Sequence, residues 1–250
     1  MISYAQNFED VILSRVFKGK KNGFYIDVGA WHPIDHSVTK HFYDQNWSGI
    51  NIEPSNAYYS LLQKLRSRDI NLNFAVNNDF EQIDYLEIPN SGASSSIHSV
   101  WDTVAKQGNL AKNAIKRKVK CVKLADICSK YANDKEIDFI KIDVEGAELS
   151  VIQSANWNVY RPIVIIVESV TPFTNISNHS DWEEILINSG YIFAYFDGLN
   201  RFYVREESKD LMPILSVPPN VFDNFKLYDG EGRIFHKKIR IGRLNLTVSL

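Results

Sequence analysis

Phe24-Tyr-Ile-Asp-Val-Gly-Ala30 is a short apolar run that ends in an acid and a glycine. The same pattern returns in Gly49-Ile-Asn-Ile-Glu-Pro-Ser55, which ends on Glu53, and in Asp138-Phe-Ile-Lys-Ile-Asp-Val-Glu-Gly-Ala-Glu148, which ends on Asp143. Each run has the length and β-branched content of a buried strand. In open α/β sheets ligands bind outside the carboxyl ends of the strands. Acids delivered at three such ends therefore predict a nucleotide-type site on a parallel sheet.

Working outward, strand-like and helix-like segments alternate. The strand series is Gly23–Val28, Ser48–Glu53, Ile70–Val76, Asp138–Asp143 and Ile163–Glu168. Ile83–Ile88 reads as an antiparallel or edge strand, and Val119–Lys123 as a short strand. Phe8, Val11, Ile12, Val16 and Phe17 recur at helical spacing and predict a helix over 3–18 with Ser3 as its N-cap. Further helices are expected over 36–46, 56–68, 124–132, 147–155 and 180–190, the last capped by Asp181 and stopped by Gly190. Residues 97–118 read as helical or irregular. Tyr191–Phe196 and Arg201–Arg205 flank Asp197-Gly-Leu-Asn200, a hairpin signal that adds an antiparallel strand at one edge. Alternation of this kind implies parallel pairing with right-handed crossovers.

The chain has 250 residues, 44% hydrophobic and 23% charged, which suits one large α/β domain with an appendage. Residues 1–220 read as that domain. Residues 221–250, with the basic Lys237-Lys-Ile-Arg-Ile-Gly-Arg243, read as a C-terminal appendage or linker. A net charge of −2 gives no field for nucleic acid or an anionic membrane. No apolar run approaches the roughly 20 residues of a membrane span. The opening residues lack a basic n-region and an apolar core, so a cytoplasmic protein is expected, with Cys121 and Cys128 as reduced thiols.

Gly29 lets the chain turn sharply and approach a ligand. A pyrophosphate loop needs further glycines, and here the chain runs on as Trp31-His-Pro-Ile-Asp-His36. That excludes a dinucleotide and suits a ligand without a pyrophosphate, such as the methionine part of S-adenosylmethionine. Glu53, ending its strand, is placed to accept hydrogen bonds from a ribose diol. Asp143, Glu145 and Glu148 crowd one strand end. Like charges are costly there unless they have a task, although Glu145 and Glu148 also suit a helix start. Alternation sets Asp143 on its own face of the strand, apart from Lys141. Glu168, ending a neighbouring run, is a candidate to join the cluster.

Taken together, Phe24-Tyr-Ile-Asp-Val-Gly-Ala30, Ser37-Val-Thr39, Gly49-Ile-Asn-Ile-Glu-Pro54 and Lys141-Ile-Asp-Val-Glu-Gly-Ala-Glu148 resemble the FkbM family of S-adenosylmethionine-dependent methyltransferases. Ser3-Tyr-Ala-Gln-Asn-Phe-Glu-Asp10 and Phe196-Asp-Gly-Leu-Asn-Arg-Phe-Tyr-Val204 extend the resemblance from about residue 2 to about 225. The resemblance implies a Rossmann-like class I methyltransferase sheet of about seven strands, mostly parallel with a reversed last strand and helices on both faces. It implies O-methylation, often of sugar hydroxyls in polysaccharide, lipopolysaccharide or natural-product biosynthesis, with glycosyltransferases as partners or fused domains. It places Asp27, Gly29 and Ala30 under the methionine end of the cofactor, Glu53 on the ribose, and Pro54 and Ser55 near the adenine. Ala75 and Val76 would flank the base. Asp143 would stand near the sulfonium, with Gln6 and Ser37 also on the cofactor side. Ser94, Ser95 and Ser96 loosely match a Gly-Ser-Thr stretch of the family.

The expected reaction is in-line transfer of a methyl group to a hydroxyl. An alcohol is a poor nucleophile at neutral pH, so a general base should add about 10²–10⁴-fold. Asp143 is the first candidate, followed by Glu145, His32 and His98. Asp143, Glu145 and Glu168 are also hard oxygen ligands that suit a divalent metal, a weaker alternative. Trp101, Trp157 and Trp182 are candidates for stacking on sugar faces, or for the core. A second reading is a non-catalytic cofactor-binding adaptor in a glycan assembly complex. Amino-methylation of nucleic acid fails, because the chain has Asp-Val-Glu-Gly where a polar-Pro-Pro-aromatic loop is required.

Overall fold

A computed structural model describes residues 1–88, 114–172, 174, 176–230, 236–241 and 244–249. At its centre is a seven-stranded sheet. Its strands are β2 (Phe24–Val28), β3 (Ser48–Ile52), β4 (Ile70–Leu72), β8 (Phe139–Ile142), β9 (Val164–Glu168), β10 (Tyr191–Phe196) and β11 (Asn200–Arg205), in spatial order β10-β11-β9-β8-β2-β3-β4. The strands from β4 to β9 pair in parallel. β11 runs against both β9 and β10. The closing hairpin therefore inserts its second strand into the sheet and leaves β10 at the edge, where the sequence pattern had the reversed strand itself.

Burial on both faces explains the β-branched runs. Phe24, Ile26 and Val28 face one core with Ile140, Ile142, Ile165 and Val167. That core is covered by α4 (Leu124–Tyr131), α5 (Glu148–Gln153) and α6 (Glu183–Asn188). Tyr25, Phe139, Val164 and Ile166 face the other, under α1 (Glu9–Val16), α2 (Lys40–Asp44) and α7 (Met212–Leu215). Trp157 and Trp182 are buried in the first core, which removes them from the list of sugar-stacking residues. Toward the carboxyl ends of the strands, period-2 alternation puts Asn51, Asp27, Lys141, Glu168 and Asn200 on the second face, from adjacent strands β3, β2, β8, β9 and β11. All five are buried, and they form a polar belt across that end of the sheet.

Several boundaries differ from the sequence pattern. The predicted strand Ile70–Val76 breaks after Leu72, and its end becomes β5 (Ala75–Val76) of a separate three-stranded sheet with β6 (Gln82–Glu87) and β7 (Ile115–Val122). Residues 115–118 are strand, where a helix or irregular chain was expected. Helix α1 starts at Glu9 after Phe8, whose φ is +65°, so Ser3 is no cap. Ser3 belongs instead to β1 (Ile2–Ser3), which pairs in parallel with β12 (Lys226–Leu227). Helix α6 starts after Trp182, so Asp181 is not its cap. Between these two, α3 (Asn56–Leu65) packs behind β4. The basic tail forms a hairpin of β13 (His236–Ile241) and β14 (Leu244–Ser249). Among the described residues no helix is long and apolar enough to cross a membrane. Cys121 and Cys128 are buried free thiols, pushed up to about 11 and about 12 by burial.

Candidate active site

Asp27 is the deepest acid of the site, 1% exposed, near the carboxyl end of β2. Its Oδ2 accepts the Thr39 hydroxyl at 3.0 Å. Lys141 Nζ lies 3.7 Å from Oδ1, which has no hydrogen-bond partner within the chain. Burial raises the Asp27 pKa, and Lys141, Thr39 and Arg66 oppose it. Two residues on, Gly29 has φ +81°, and a Cβ there would sit 1.9 Å from the Asp143 carbonyl oxygen. The amides of Gly29 and Ala30 both bond the Ile52 carbonyl. Only glycine allows the tips of β2, β3 and β8 to close on one another here.

Glu53 follows β3 and is 4% exposed. Its carboxylate accepts the backbone amides of Trp31 at 2.8 Å and Ser55 at 2.7 Å. Burial still pushes its pKa up to about 7. Trp31 stands edge-on to Tyr58, with ring centroids 5.5 Å apart. Asn73 donates to the carbonyls of Glu53 and Pro54, and Arg117 donates to Pro54. The loop after β3 is thus a rigid shelf whose carboxylate keeps spare lone pairs.

The third strand tip is more crowded than the sequence suggests. Lys141 is 8% exposed, donates to the Gly29 carbonyl at 3.2 Å and pairs with Asp143 at 3.1 Å. The expectation that Asp143 stands apart from Lys141 fails, because residues two apart on a strand share a face. The surrounding acids hold the Lys141 ammonium well above its usual range against the cost of burial. Glu148 accepts the amides of Val144 and Gly146, both at 3.1 Å, and so shapes the loop rather than the chemistry. Glu145, at φ +55°, is pushed up to about 8 by burial and by the charges of Asp143 and Glu148. Glu168 is pushed up to about 11, by burial first and then by Asp143, Glu145 and Glu148.

Asp27, Glu53, Lys141, Asp143 and Glu145 converge on one cavity of about 340 Å³, which Glu148 and Glu168 do not line, within the usual range for small-molecule sites. Of the residues expected at the cofactor, Gln6, Asp27, Gly29, Ala30, Ser37, Glu53, Pro54, Ala75, Val76 and Asp143 line it. Ser55 does not; its amide goes to Glu53 and its hydroxyl to Glu87. Glu145 lines the cavity and His32 does not. His32 Nδ1 accepts the amides of Ile34 and Asp35, which makes it a loop cap rather than a base, and burial lowers its pKa. Ser94, Ser95, Ser96, His98 and Trp101 lie outside the described residues. Among the described residues no group of three or more His, Cys, Asp or Glu is arranged to hold a metal ion. Asp143, Glu145 and Glu168 do not make one, and the Asp143 carboxylate is already paired with the Lys141 ammonium at 3.1 Å.

Sequence reasoning missed Lys141 as a wall of the site, and with it Tyr58, Phe74, Ile83 and Tyr85, which also line the cavity. The lysine had a signal: a charged residue inside a strand that must be buried on both faces needs acids beside it. The unpaired Asp27 oxygen and the spare acceptors of Glu53 fit a ligand with a cationic amine at one end and a diol at the other, which is the chemistry of S-adenosylmethionine.

The methyltransferase FkbM domain family matches residues 27–193. No curated protein matches the chain. Similar solved structures include a TehB-like SAM-dependent methyltransferase from Corynebacterium glutamicum, at 6% identity over 79% of this chain and 87% of that one, TM-score 0.42. Magnesium protoporphyrin IX methyltransferase from Synechocystis with bound SAM aligns at 11% identity over 79% and 77%, TM-score 0.41. TYW2 from M. jannaschii in complex with AdoMet aligns at 10% identity over 82% and 78%, TM-score 0.38.

Proposed function

The chain belongs to the FkbM family of S-adenosylmethionine-dependent methyltransferases, and from that premise we propose that it methylates a hydroxyl group, that of a sugar in a glycan, lipopolysaccharide or natural-product precursor. The observation that carries this reading is Glu145. It lines the same cavity as Asp27 and Lys141, and its pKa of about 8 is close to working pH. An alcohol needs a base, and a base is most effective with a pKa near the operating pH. Asp143 is the poorer candidate because its carboxylate is already engaged by the Lys141 ammonium at 3.1 Å.

When bound, the cofactor supplies a methyl group already activated on a sulfonium. Asp27 would hold its amino group through the free Oδ1, and Glu53 its ribose hydroxyls. Tyr58, Phe74 and Tyr85 would enclose the base, with Ala75 and Val76. Lys141 keeps Asp27 and Asp143 from repelling one another. Glu145 would take the proton of the acceptor hydroxyl as its oxygen gains the methyl group, whose bond to sulfur breaks to leave the cofactor as a neutral thioether. Polar acceptors around the reacting end suit a neutral, hydroxyl-rich substrate better than an apolar one. A cytoplasmic site of action and a glycosyltransferase partner belong to the same proposal.

The test combines calorimetry with S-adenosylhomocysteine and mass spectrometry of sugar acceptors for a gain of one methyl group. Glu145→Gln should keep cofactor affinity and lose about 10²–10⁴-fold in kcat. Wild-type kcat should rise with pH through about 8, as Glu145 loses its proton. Undiminished turnover in the Gln variant would remove Glu145 from the mechanism, and cofactor binding without methyl gain on any hydroxyl acceptor would favour an adaptor.

A further inference from the structure

Thr39 is fully buried and lies just before α2, outside the cavity lining. Its hydroxyl has a single proton, and that proton is given to Asp27 Oδ2 at 3.0 Å. The Thr39 hydroxyl oxygen itself accepts from Arg66 Nη2 at 2.9 Å. Arg66 is also fully buried, at the end of α3. Its other donors reach Asp69 at 3.1 Å, the Pro33 carbonyl at 3.1 Å and the Tyr25 hydroxyl at 2.7 Å. Asp69 in turn accepts the amide of Gly49 at 2.9 Å and the side chain of Asn51 at 3.0 Å. The chain of donors runs from the back of the sheet, through one hydroxyl, to one oxygen of the site's deepest acid. The guanidinium polarises the hydroxyl, and the hydroxyl fixes the rotation of the Asp27 carboxylate.

We infer that Thr39 is a positioning residue for the cofactor: its hydroxyl, backed by Arg66, occupies Asp27 Oδ2 and so presents Oδ1 to the cofactor's amino-acid end. The inference rests on the placement of Asp27 proposed above. A carboxylate with both oxygens free to rotate would divide its time between Lys141 and the ligand. With Oδ2 claimed from behind, Oδ1 remains the oxygen with no hydrogen bond of its own, the Lys141 ammonium lying 3.7 Å away. The effect is confined to the amino-acid half of the ligand, because nothing in this chain of donors touches Glu53.

Titration calorimetry of the full chain tests this with two probes, S-adenosylhomocysteine and 5′-methylthioadenosine, which lacks the amino-acid end. A hydrogen bond to a charged acceptor corresponds to about 10- to 100-fold in affinity. Thr39→Val should weaken S-adenosylhomocysteine by that factor and leave methylthioadenosine as in wild type. Thr39→Ser should restore the loss. Thr39→Ala, with more room and no hydroxyl, replaces the valine variant if that one melts early. Equal loss for both probes would make Thr39 merely structural and overturn the inference, as would unchanged homocysteine binding or a serine variant as weak as valine. A wild type that binds neither probe would overturn the cofactor placement itself.

Discussion

Glu168 carries one carboxyl oxygen with no partner, on a residue only 8% exposed, beside Asp143 and two further glutamates. Its pKa of about 11 means that it folds as the neutral acid. The sign of the linkage follows. The unfolded glutamate releases its proton near the ordinary value of 4.5, whereas the folded one holds it until about 11. Stability from this group is complete below about 4.5 and is lost as pH rises toward 11. Glu168→Gln copies the neutral acid. Its melting temperature should match wild type near pH 4.5 and exceed it at pH 9, by about 2–4 °C for each kcal/mol in a domain of this size. A gap that does not widen between those two pH values would mean that Glu168 is ionised and paired.

The loop between β2 and α2 shows the same reasoning at the level of an element. Gly29 and Gly19 have nearly the same backbone angle, φ +81° and +84°, but a Cβ at Gly29 meets the Asp143 carbonyl while one at Gly19 meets nothing within 4 Å. Gly19→Ala should cost only backbone strain, about 1–3 kcal/mol. Gly29→Ala carries the same strain and must also part β2 from β8, so thermal melts should show a larger loss and calorimetry a lost cofactor site. Equal melting temperatures would mean that the two tips tolerate separation. The strands on either side of this loop were legible because β2, β3, β8 and β9 are buried on both faces and so are largely apolar, each with a polar residue near its carboxyl end. The acids at or near their tips were legible because each stands out against an apolar run. The break of Ile70–Val76 into β4 and β5 was not, because the partner that draws Ala75 away is Cys121, 46 positions on. Lys141 stood in plain view, and its pairing with Asp143 two residues on follows from alternation, but its approach to Asp27 depends on the folded register of β2 and β8.

At the scale of the whole molecule the N-terminal segment is clasped by residues 223–228. The amide of Lys226 bonds Met1, that of Tyr228 bonds Ser3, and the Met1 ammonium bonds Asn224. Tyr4 packs on Tyr228 and Phe8 on Phe225, with ring centroids 5.0 and 5.3 Å apart. Arg15 pairs with Asp223 at 3.1 Å. Farther along the same N-terminal segment, Ala5 bridges to His36 and Gln6 lines the cavity. Residues 1–26 and 194–230 lie outside the family match, and of them Gln6 lines the cavity, on a segment that residues 223–228 hold in place. A chain ending at residue 220 keeps every strand of the seven-stranded sheet and loses this clasp. Each backbone hydrogen bond is worth about 0.5–1.5 kcal/mol net. Losing several of them, together with the ring contacts, should free the N-terminal segment without unfolding the sheet. Limited proteolysis should then cut within the first eight or so residues while the core resists, and calorimetry should show S-adenosylhomocysteine bound about tenfold more weakly, the equivalent of roughly 1.4 kcal/mol. Unchanged affinity with a protease-sensitive N-terminus would show that Gln6 borders the cavity without contributing to it.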